Sequence, residues 1–269
     1  MKIILAKMKA IILAAGMGTR LGKYTENLPK GMLNFIGKSL IERQVEALRS
    51  CGIKEIIIVR GYMPDKIQIS NVRYCMNEDY NSTNMVVSLF CAEQEFNDDI
   101  LVCYADILYE KRVIKKVLES KADIGVVADD SYWEYWKARL DNPEEDIESF
   151  VVKDDKIIEI GVPRCSLDKA KVRYLGLIKF SKKGVEALKK IFYENKKLYW
   201  NKNLPWSNSK SFKKAYTTDI LQALINSGYE LEPIIISHGW IEFDTVEDYE
   251  RAIKWAKDGS LSRFYSLND

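Results

Sequence analysis

The sequence predicts an α/β fold, a Rossmann-like three-layer sandwich around a mostly parallel mixed sheet. Three observations carry that expectation. Short apolar runs of strand length stand at residues 10–13, 55–59, 100–104 and 124–128. They alternate with segments whose apolar residues recur at helical spacing, the pattern of a parallel sheet covered on both faces. The first run ends in small residues, Ala14, Ala15, Gly16, Met17 and Gly18, which let a backbone leaving a buried strand turn sharply.

Residues 10–13 read as a fully buried strand. Ser39 and Glu42 form a capping box that opens a helix, in which Ile41, Val45 and Leu48 recur before Gly52 supplies the stop. Residues 55–59, with three isoleucines, make the second strand; Gly61 and Tyr62 turn away, a short helix is expected around 64–69, and 72–76 is the third strand. Residues 77–84 are turn-like, and a helix from there to about Glu95 can bury Val86, Leu89, Phe90 and Ala92. A strand at 100–104 leads to Asp106, a helix spans 111–120, and a strand spans 124–128.

From Asp129 to Phe150 the chain turns charged and aromatic. Residues 151–160 read as a hairpin turning at Asp154 and Asp155. A strand at 174–180 and a helix opened by Ser181 follow, then a long polar and aromatic loop at 201–214, a length often reserved for function. Thr218 and Asp219 open a helix ended by Gly228; strands at 233–237 and 241–243 lead to Asp244; Thr245 can cap a last helix, 246–257. With no repeat and no linker, residues 1–269 are expected to form one domain whose character changes near residue 128.

The 41 basic and 39 acidic residues leave a net charge of +2, which gives no argument for nucleic acid or an anionic membrane as partner. Five scattered cysteines without a CxxC pair point to neither zinc nor a disulfide framework, and fit a reducing, cytoplasmic setting. The apolar, basic start is interrupted at Lys7 and Lys9 and runs on into the glycine turn, so it is not read as an export signal; Met8 is a candidate natural start, with residues 1–7 an upstream extension. No stretch has the length of a transmembrane helix.

The glycine turn, followed by Arg20 and by Lys30 after Pro29, offers N–H groups, a guanidinium and an ammonium to a polyphosphate. An ordinary glycine turn with two solvated cations is the alternative. A third glycine is missing for a dinucleotide fingerprint, and no Gly-Lys-Ser/Thr makes a P-loop. Asp106 and Asp244 each end a strand, where a carboxylate suits Mg²⁺ shared with phosphates, or initiates the next helix. Glu242 lies on the same strand face as Asp244. Asn84 and Ser88 share a helix face that is either a base contact or solvated. Trp133, Tyr135 and Trp136, beside Asp129, Asp130 and Glu134, read either as a cage for a trimethylammonium or amine or as a lid packed on the body. Arg139 and Arg173 are candidates for a phosphate, phosphonate or carboxylate. His238 is the only histidine, which makes nucleophilic catalysis with a histidine base unlikely on composition and excludes multi-histidine metal sites.

Leu13, Ala14, Ala15, Gly16, Gly18, Thr19 and Arg20, then Pro29 and Lys30, match position by position a signature of the nucleotidyltransferases that make nucleotide-activated sugars and alcohols. The chain resembles that family from about Lys9 to Trp255. The resemblance implies the nucleotidyltransferase fold with C-terminal substrate insertions, residues 8–128 serving the nucleotide and 129–257 the acceptor. It implies attack of an acceptor oxygen on the α-phosphorus of a nucleoside triphosphate, with pyrophosphate leaving in line. Arg20, Lys30, Asp106 and Asp244 would be catalytic, the two aspartates holding Mg²⁺. Residues 13–19, including Met17, with Gly61, Asn84 and Ser88, would lie on the nucleotide. Trp133, Trp136, Arg139, Arg173, Thr218, Asp219 and Glu242 would serve the acceptor.

Within the family the chain looks like the small-acceptor cytidylyltransferases of surface-polysaccharide modification, which use CTP and phosphocholine, aminoethylphosphonate or phosphoglutamine. A sugar-1-phosphate nucleotidyltransferase using UTP or dTTP is the alternative. A metal-dependent glycosyltransferase would normally need an Asp-x-Asp, and Tyr104-Ala105-Asp106 lacks the first; a regulatory module that lost its chemistry would not need all four catalytic residues. The expected partners are a nucleoside triphosphate and a small phospho- or phosphonate acceptor; a homodimer is left open.

Overall fold

The computed structural model describes residues 8–267, so the expectation about residues 1–7 lies outside the described residues. The first run is β1 (Lys9–Ala14), buried at every position. Two 3-10 turns, Thr19–Tyr24 and Lys30–Met32, lead to a small hairpin, β2 (Asn34–Phe35) and β3 (Lys38–Ser39). Ser39 then caps α1 (Leu40–Ser50): its hydroxyl accepts from the Glu42 N–H at 3.2 Å, and the Glu42 carboxylate accepts from the Ser39 N–H at 2.6 Å. Next come β4 (Glu55–Arg60), β5 (Arg73–Met76), α2 (Met85–Phe90), β6 (Ile100–Tyr104), β7 (Ile107–Tyr109), α3 (Lys111–Glu119) and β8 (Ile124–Asp129). The remainder supplies α4 (Tyr132–Arg139), β9 (Glu148–Lys153), β10 (Lys156–Pro163), β11 (Arg173–Phe180), α5 (Lys182–Tyr199), α6 (Thr217–Asn226), β12 (Glu232–Ile236), β13 (Trp240–Glu242) and α7 (Val246–Asp258).

Seven strands form one sheet in the order β12–β8–β11–β6–β1–β4–β5. Only β11 runs against its neighbours, pairing antiparallel with both β6 and β8, so the sheet is mostly parallel and mixed. Successive residues of β1 face opposite sides, as the strand pleat requires. Ala10, Ile12 and Ala14 join the core under α1, α3, α4 and α7, whereas Ile11 and Leu13 join the core under α2, α5 and α6. Burial on both faces is why these strands read as continuous apolar runs.

The β9–β10 hairpin turns where expected, with Asp154 and Asp155 at φ 50° and 58°, and begins at Glu148, earlier than the sequence pattern placed it. The helix after Asn84 stops at Phe90; a separate 3-10 turn, Glu93–Glu95, lets Ala92 and Phe96 both reach the core. Besides the short β2–β3 hairpin, two elements are unanticipated. One is α4. The other is the ribbon of β7 with β13, in which Glu242 pairs with Ile107 and the Phe243 N–H donates to the Asp106 carbonyl at 3.0 Å. This ribbon sets Asp106 beside Asp244. No helix among the described residues is long and apolar enough to cross a membrane.

Candidate active site

The site lies beyond the carboxyl ends of β1 and β6, the edge at which open α/β sheets take ligands. Gly18 holds φ 63°, and a Cβ there would stand 2.9 Å from the Lys30 Cβ. The turn is pinned by the Thr25 hydroxyl and the Leu21 N–H, which donate to the Gly18 carbonyl at 2.9 and 3.0 Å. The N–H groups of Gly16, Met17 and Gly18 meet no acceptor among the described residues. Gly61 supports the turn from behind: it is buried, and a Cβ on it would lie 2.7 Å from the Ala15 carbonyl oxygen. Gly18→Ala therefore meets left-handed strain of about 1–2 kcal/mol and also pushes on the Lys30 stem. Steady-state kinetics of this variant are expected to show kcat/KM for the nucleotide reduced up to about 100-fold.

Four charges converge beside the turn. The Lys30 ammonium lies 2.5 Å from an Asp106 carboxylate oxygen and 2.7 Å from one of Asp244. Arg20 reaches the other Asp244 oxygen at 2.5 Å, with its side chain 70% exposed. Burial works against the Lys30 charge, but Asp106 and Asp244 overcome it and hold its pKa above the ordinary lysine value. The ammonium is thus charged throughout the physiological range.

Two cavities meet at this cluster. The first, about 270 Å³, is lined by residues 13–16 and 18–20 and by Lys30, Asn84, Ser88, Asp106 and Asp244. Met17 is exposed and lies off the lining. Asn84 caps α2, accepting from the Met85 N–H at 2.9 Å, and donates to the Lys214 carbonyl at 3.2 Å. The Ser88 hydroxyl accepts from the Asn77 amide at 2.9 Å, which also donates to Thr83 at 3.0 Å. Asn77 and Thr83 were missed by sequence reasoning, although both sit in the polar segment just before the Asn84 helix.

The second cavity, about 290 Å³, is lined by Arg173, Thr218, Asp219 and Glu242 and shares Arg20, Tyr104, Asp106, Tyr216 and Asp244 with the first. Tyr104 forms part of the wall between them. Its hydroxyl bonds to Thr217, which also bonds the Tyr174 hydroxyl at 3.0 Å, and burial raises its pKa well above the ordinary tyrosine value. Gly176, at φ 64°, leaves room for the Tyr104 ring, which a Cβ there would overlap. Asp219 is almost fully buried and its carboxylate is engaged, accepting from the N–H groups of Asn208 and Tyr216 at 2.8 Å each and from the Ser209 hydroxyl. It braces the 201–214 loop and brings Asn208 to the cavity wall.

Two expectations are corrected. Trp133 and Trp136 make no cage in either cavity: α4 turns its aromatic side chains into the core, where Trp136 is fully buried, donates to the Asp146 carbonyl at 2.9 Å, and packs with Tyr135 against Trp240. Arg139 does not line the second cavity. It is buried and forks onto Asp248 at 2.8 and 2.7 Å while reaching Glu242 at 2.6 Å. Asp248 in turn accepts from the Asp244 and Thr245 N–H groups at 3.1 and 2.9 Å, so Arg139 anchors the strand-to-helix turn that carries Asp244. Burial would raise the Asp248 pKa, but Arg139 holds it below the ordinary aspartate value; for Glu242 burial outweighs Arg139 and the pKa is raised. His238 packs at the edge of Phe264 and lines neither cavity.

The family of the MobA-like NTP transferase domain matches residues 10–178. A CTP:phosphoglutamine cytidylyltransferase of Campylobacter jejuni subsp. jejuni serotype O:2 is 35% identical over 260 residues, covering 92% of this chain and 100% of its own. A choline-phosphate cytidylyltransferase of Streptococcus pneumoniae is 38% identical over 107 residues, 38% of this chain and 47% of its own. The solved structure of CTP:phosphocholine cytidylyltransferase from Streptococcus pneumoniae superposes with a TM-score of 0.70 at 23% identity, over 93% of this chain and 99% of that one, a likeness of fold. The family match spans the glycine turn, Lys30 and Asp106 alike, and the Campylobacter relative is matched along its full length: the chain belongs to the MobA-like NTP transferase family.

Proposed function

We propose that the protein is a CTP-dependent cytidylyltransferase that transfers CMP to a small phosphorylated or phosphonate acceptor and releases pyrophosphate. The observation that carries this reading is the junction of the two cavities at Lys30, Asp106 and Asp244. A nucleotide in the first cavity and an acceptor in the second would meet at that cluster. Relatives named for phosphoglutamine and choline phosphate support CTP and a small acceptor.

The residues fit Mg²⁺. Two carboxylates converge on one cation, Lys30, so they already face a shared positive charge with hard oxygen donors. No cluster of three or more His, Cys, Asp or Glu side chains able to hold a metal occurs among the described residues, which suits an ion that completes its shell with water and phosphate. Mg²⁺ held by Asp106 and Asp244 would neutralise charge on the phosphates.

The chain's own groups supply the rest. The amides of the glycine turn and Arg20 would bind the β- and γ-phosphates. Lys30 would stabilise charge developing on the α-phosphate. A bond forms between the acceptor oxygen and the α-phosphorus, and the bond from that phosphorus to the β-phosphate oxygen breaks. An acceptor that is anionic near neutral pH needs no general base, so positioning and charge neutralisation carry the catalysis. In this reading the chain is one domain, with residues 8–128 serving the nucleotide and 129–257 the acceptor; the sheet that draws strands from both halves supports this. A cytoplasmic place in cell-surface polysaccharide modification belongs to the same proposal.

The test is a pyrophosphate-release matrix of CTP, UTP, dTTP and GTP against phosphocholine, aminoethylphosphonate, phosphoglutamine and glucose-1-phosphate. Turnover with CTP and a small acceptor is expected. Turnover with UTP and glucose-1-phosphate, and none with CTP, would overturn the reading. Asp106→Ala is expected to lower kcat at least about 100-fold; unchanged pyrophosphate release would remove the metal assignment.

A further inference from the structure

We infer that the second cavity recognises the amino-acid end of a zwitterionic acceptor, with Arg173 taking its α-carboxylate and Glu148 its α-ammonium. This rests on the cytidylyl-transfer reading for the reaction, but not for binding.

Arg173 is a cation fixed in the cavity wall. Its side chain is 12% exposed, and its guanidinium lies 4.4 Å from the centre of the Trp136 ring. One terminal nitrogen donates to the Asp146 carbonyl at 3.0 Å. The Asp146 carboxylate is 3.6 Å away and its side chain is 54% exposed, so it neutralises the guanidinium only weakly. A guanidinium has five N–H donors in a planar fork that matches a carboxylate. Most of those donors have no protein acceptor among the described residues.

Glu148 lines the same cavity and has no ion pair or hydrogen bond from its side chain among the described residues. It opens β9 as Arg173 opens β11, so both charges sit at the ends of strands rather than on a mobile loop. Of the other carboxylates of the wall, Asp146 lies exposed against Arg173 itself, and the rest are engaged: Glu242 by Arg139, Asp219 by the 208–216 turn, Asp106 and Asp244 by Lys30. The cavity therefore presents one cation with most of its donors free and one anion without a partner among the described residues.

A neutral sugar would offer both groups hydroxyl hydrogen bonds but no opposite charge, and a lone trimethylammonium would leave Arg173 unmatched. An amino acid carrying its phosphoryl group on the side chain satisfies both. Charge groups left unpaired in a desolvated wall are what give such sites their discrimination.

The experiment uses the full chain, CTP and three acceptors: phosphoglutamine, the same phosphoramidate without the α-carboxylate (phosphorylated 4-aminobutanamide), and phosphocholine. Arg173→Met is expected to lower kcat/KM for phosphoglutamine about 100-fold, mainly through KM, and to change that for the decarboxylated analogue less than about threefold. Glu148→Gln is expected to lower kcat/KM for phosphoglutamine and for the decarboxylated analogue alike, since both keep the ammonium. Arg173→Lys keeps the charge and loses the fork, so it guards against a variant that merely misfolds; its loss for phosphoglutamine should exceed tenfold at an unchanged melting temperature. Equal losses on both acceptors in Arg173→Met, or wild-type preference for phosphocholine, would overturn the inference. Calorimetric binding of phosphoglutamine separates the two readings. Binding that depends on Arg173 in a protein that releases no pyrophosphate from CTP keeps the pocket and overturns the reaction. Pyrophosphate release on phosphocholine with no binding of phosphoglutamine keeps the reaction and overturns the pocket.

Discussion

Lys30→Met is expected to reduce pyrophosphate release about 100- to 1,000-fold, the range for losing one preorganised charge at a developing anion. The native ammonium is held between Asp106 and Asp244, both side chains less than one-fifth exposed, so solvent cannot replace it easily. Without it the two carboxylates face each other with no cation between them. The loss should appear in kcat, since Lys30 would act on charge that develops during transfer, and a nucleotide-binding titration should change less than turnover does. Stability gives an independent readout. The folded-state pKa of Lys30 lies above its ordinary value of 10.5, so the stability this lysine contributes is complete below that value and is lost as pH rises through the raised one. The difference in unfolding free energy between wild type and Lys30→Met should be flat to about pH 10 and shrink beyond it.

Arg139→Met is expected to have the largest effect on stability, about 3–5 kcal/mol at neutral pH. The native guanidinium is nearly inaccessible and bonds two carboxylates, so its removal leaves Glu242 and Asp248 buried with no cation. Urea unfolding measures the loss. The Asp248 pKa is depressed in the folded state despite its burial, so its contribution is present above the ordinary value of 3.8 and disappears as pH falls through the depressed one. In the variant the carboxyls can protonate, and the deficit should narrow as the pH is lowered toward 4. Activity should fall as well, because the Asp244 N–H is held by Asp248. An Arg139→Met protein as stable as wild type at neutral pH would show that this network is not an anchor.

The parts legible in the sequence share a physical reason. Strands buried on both faces must be apolar throughout, and helix starts must satisfy their free N–H groups locally, so β1, β4, β6 and the Ser39 capping box announce themselves within a few residues. The glycine turn is legible because positive φ and the close approach of Lys30 both demand glycine at position 18. What was hidden depends on partners far along the chain. Arg139 is separated from Glu242 and Asp248 by 103 and 109 positions, and nothing near it distinguishes a buried ion pair from a ligand for an anion. Helix α4 mixes aromatic and charged residues, and Trp240, Trp255 and Phe264, brought in from more than 100 positions on, explain why its aromatics turn inward. The three residues of β7 have no strand signature until β13 is laid beside them.

That same ribbon has a consequence for the order in which the protein is made. The turn, Lys30 and Asp106 all leave the ribosome before β13, and β1 can pair with β6 as soon as both are available. Asp244 comes 214 positions after the lysine it bonds, and β13 must be synthesised before it can be brought to β7. A nascent chain that stops short of Trp240 contains every residue lining the first cavity except Asp244, and so only one of the two carboxylates. Completion of the charge cluster thus waits for β13, and a protease that removed the segment from β13 onward would take away Asp244 together with Trp240, Ile241 and Phe243 of the core.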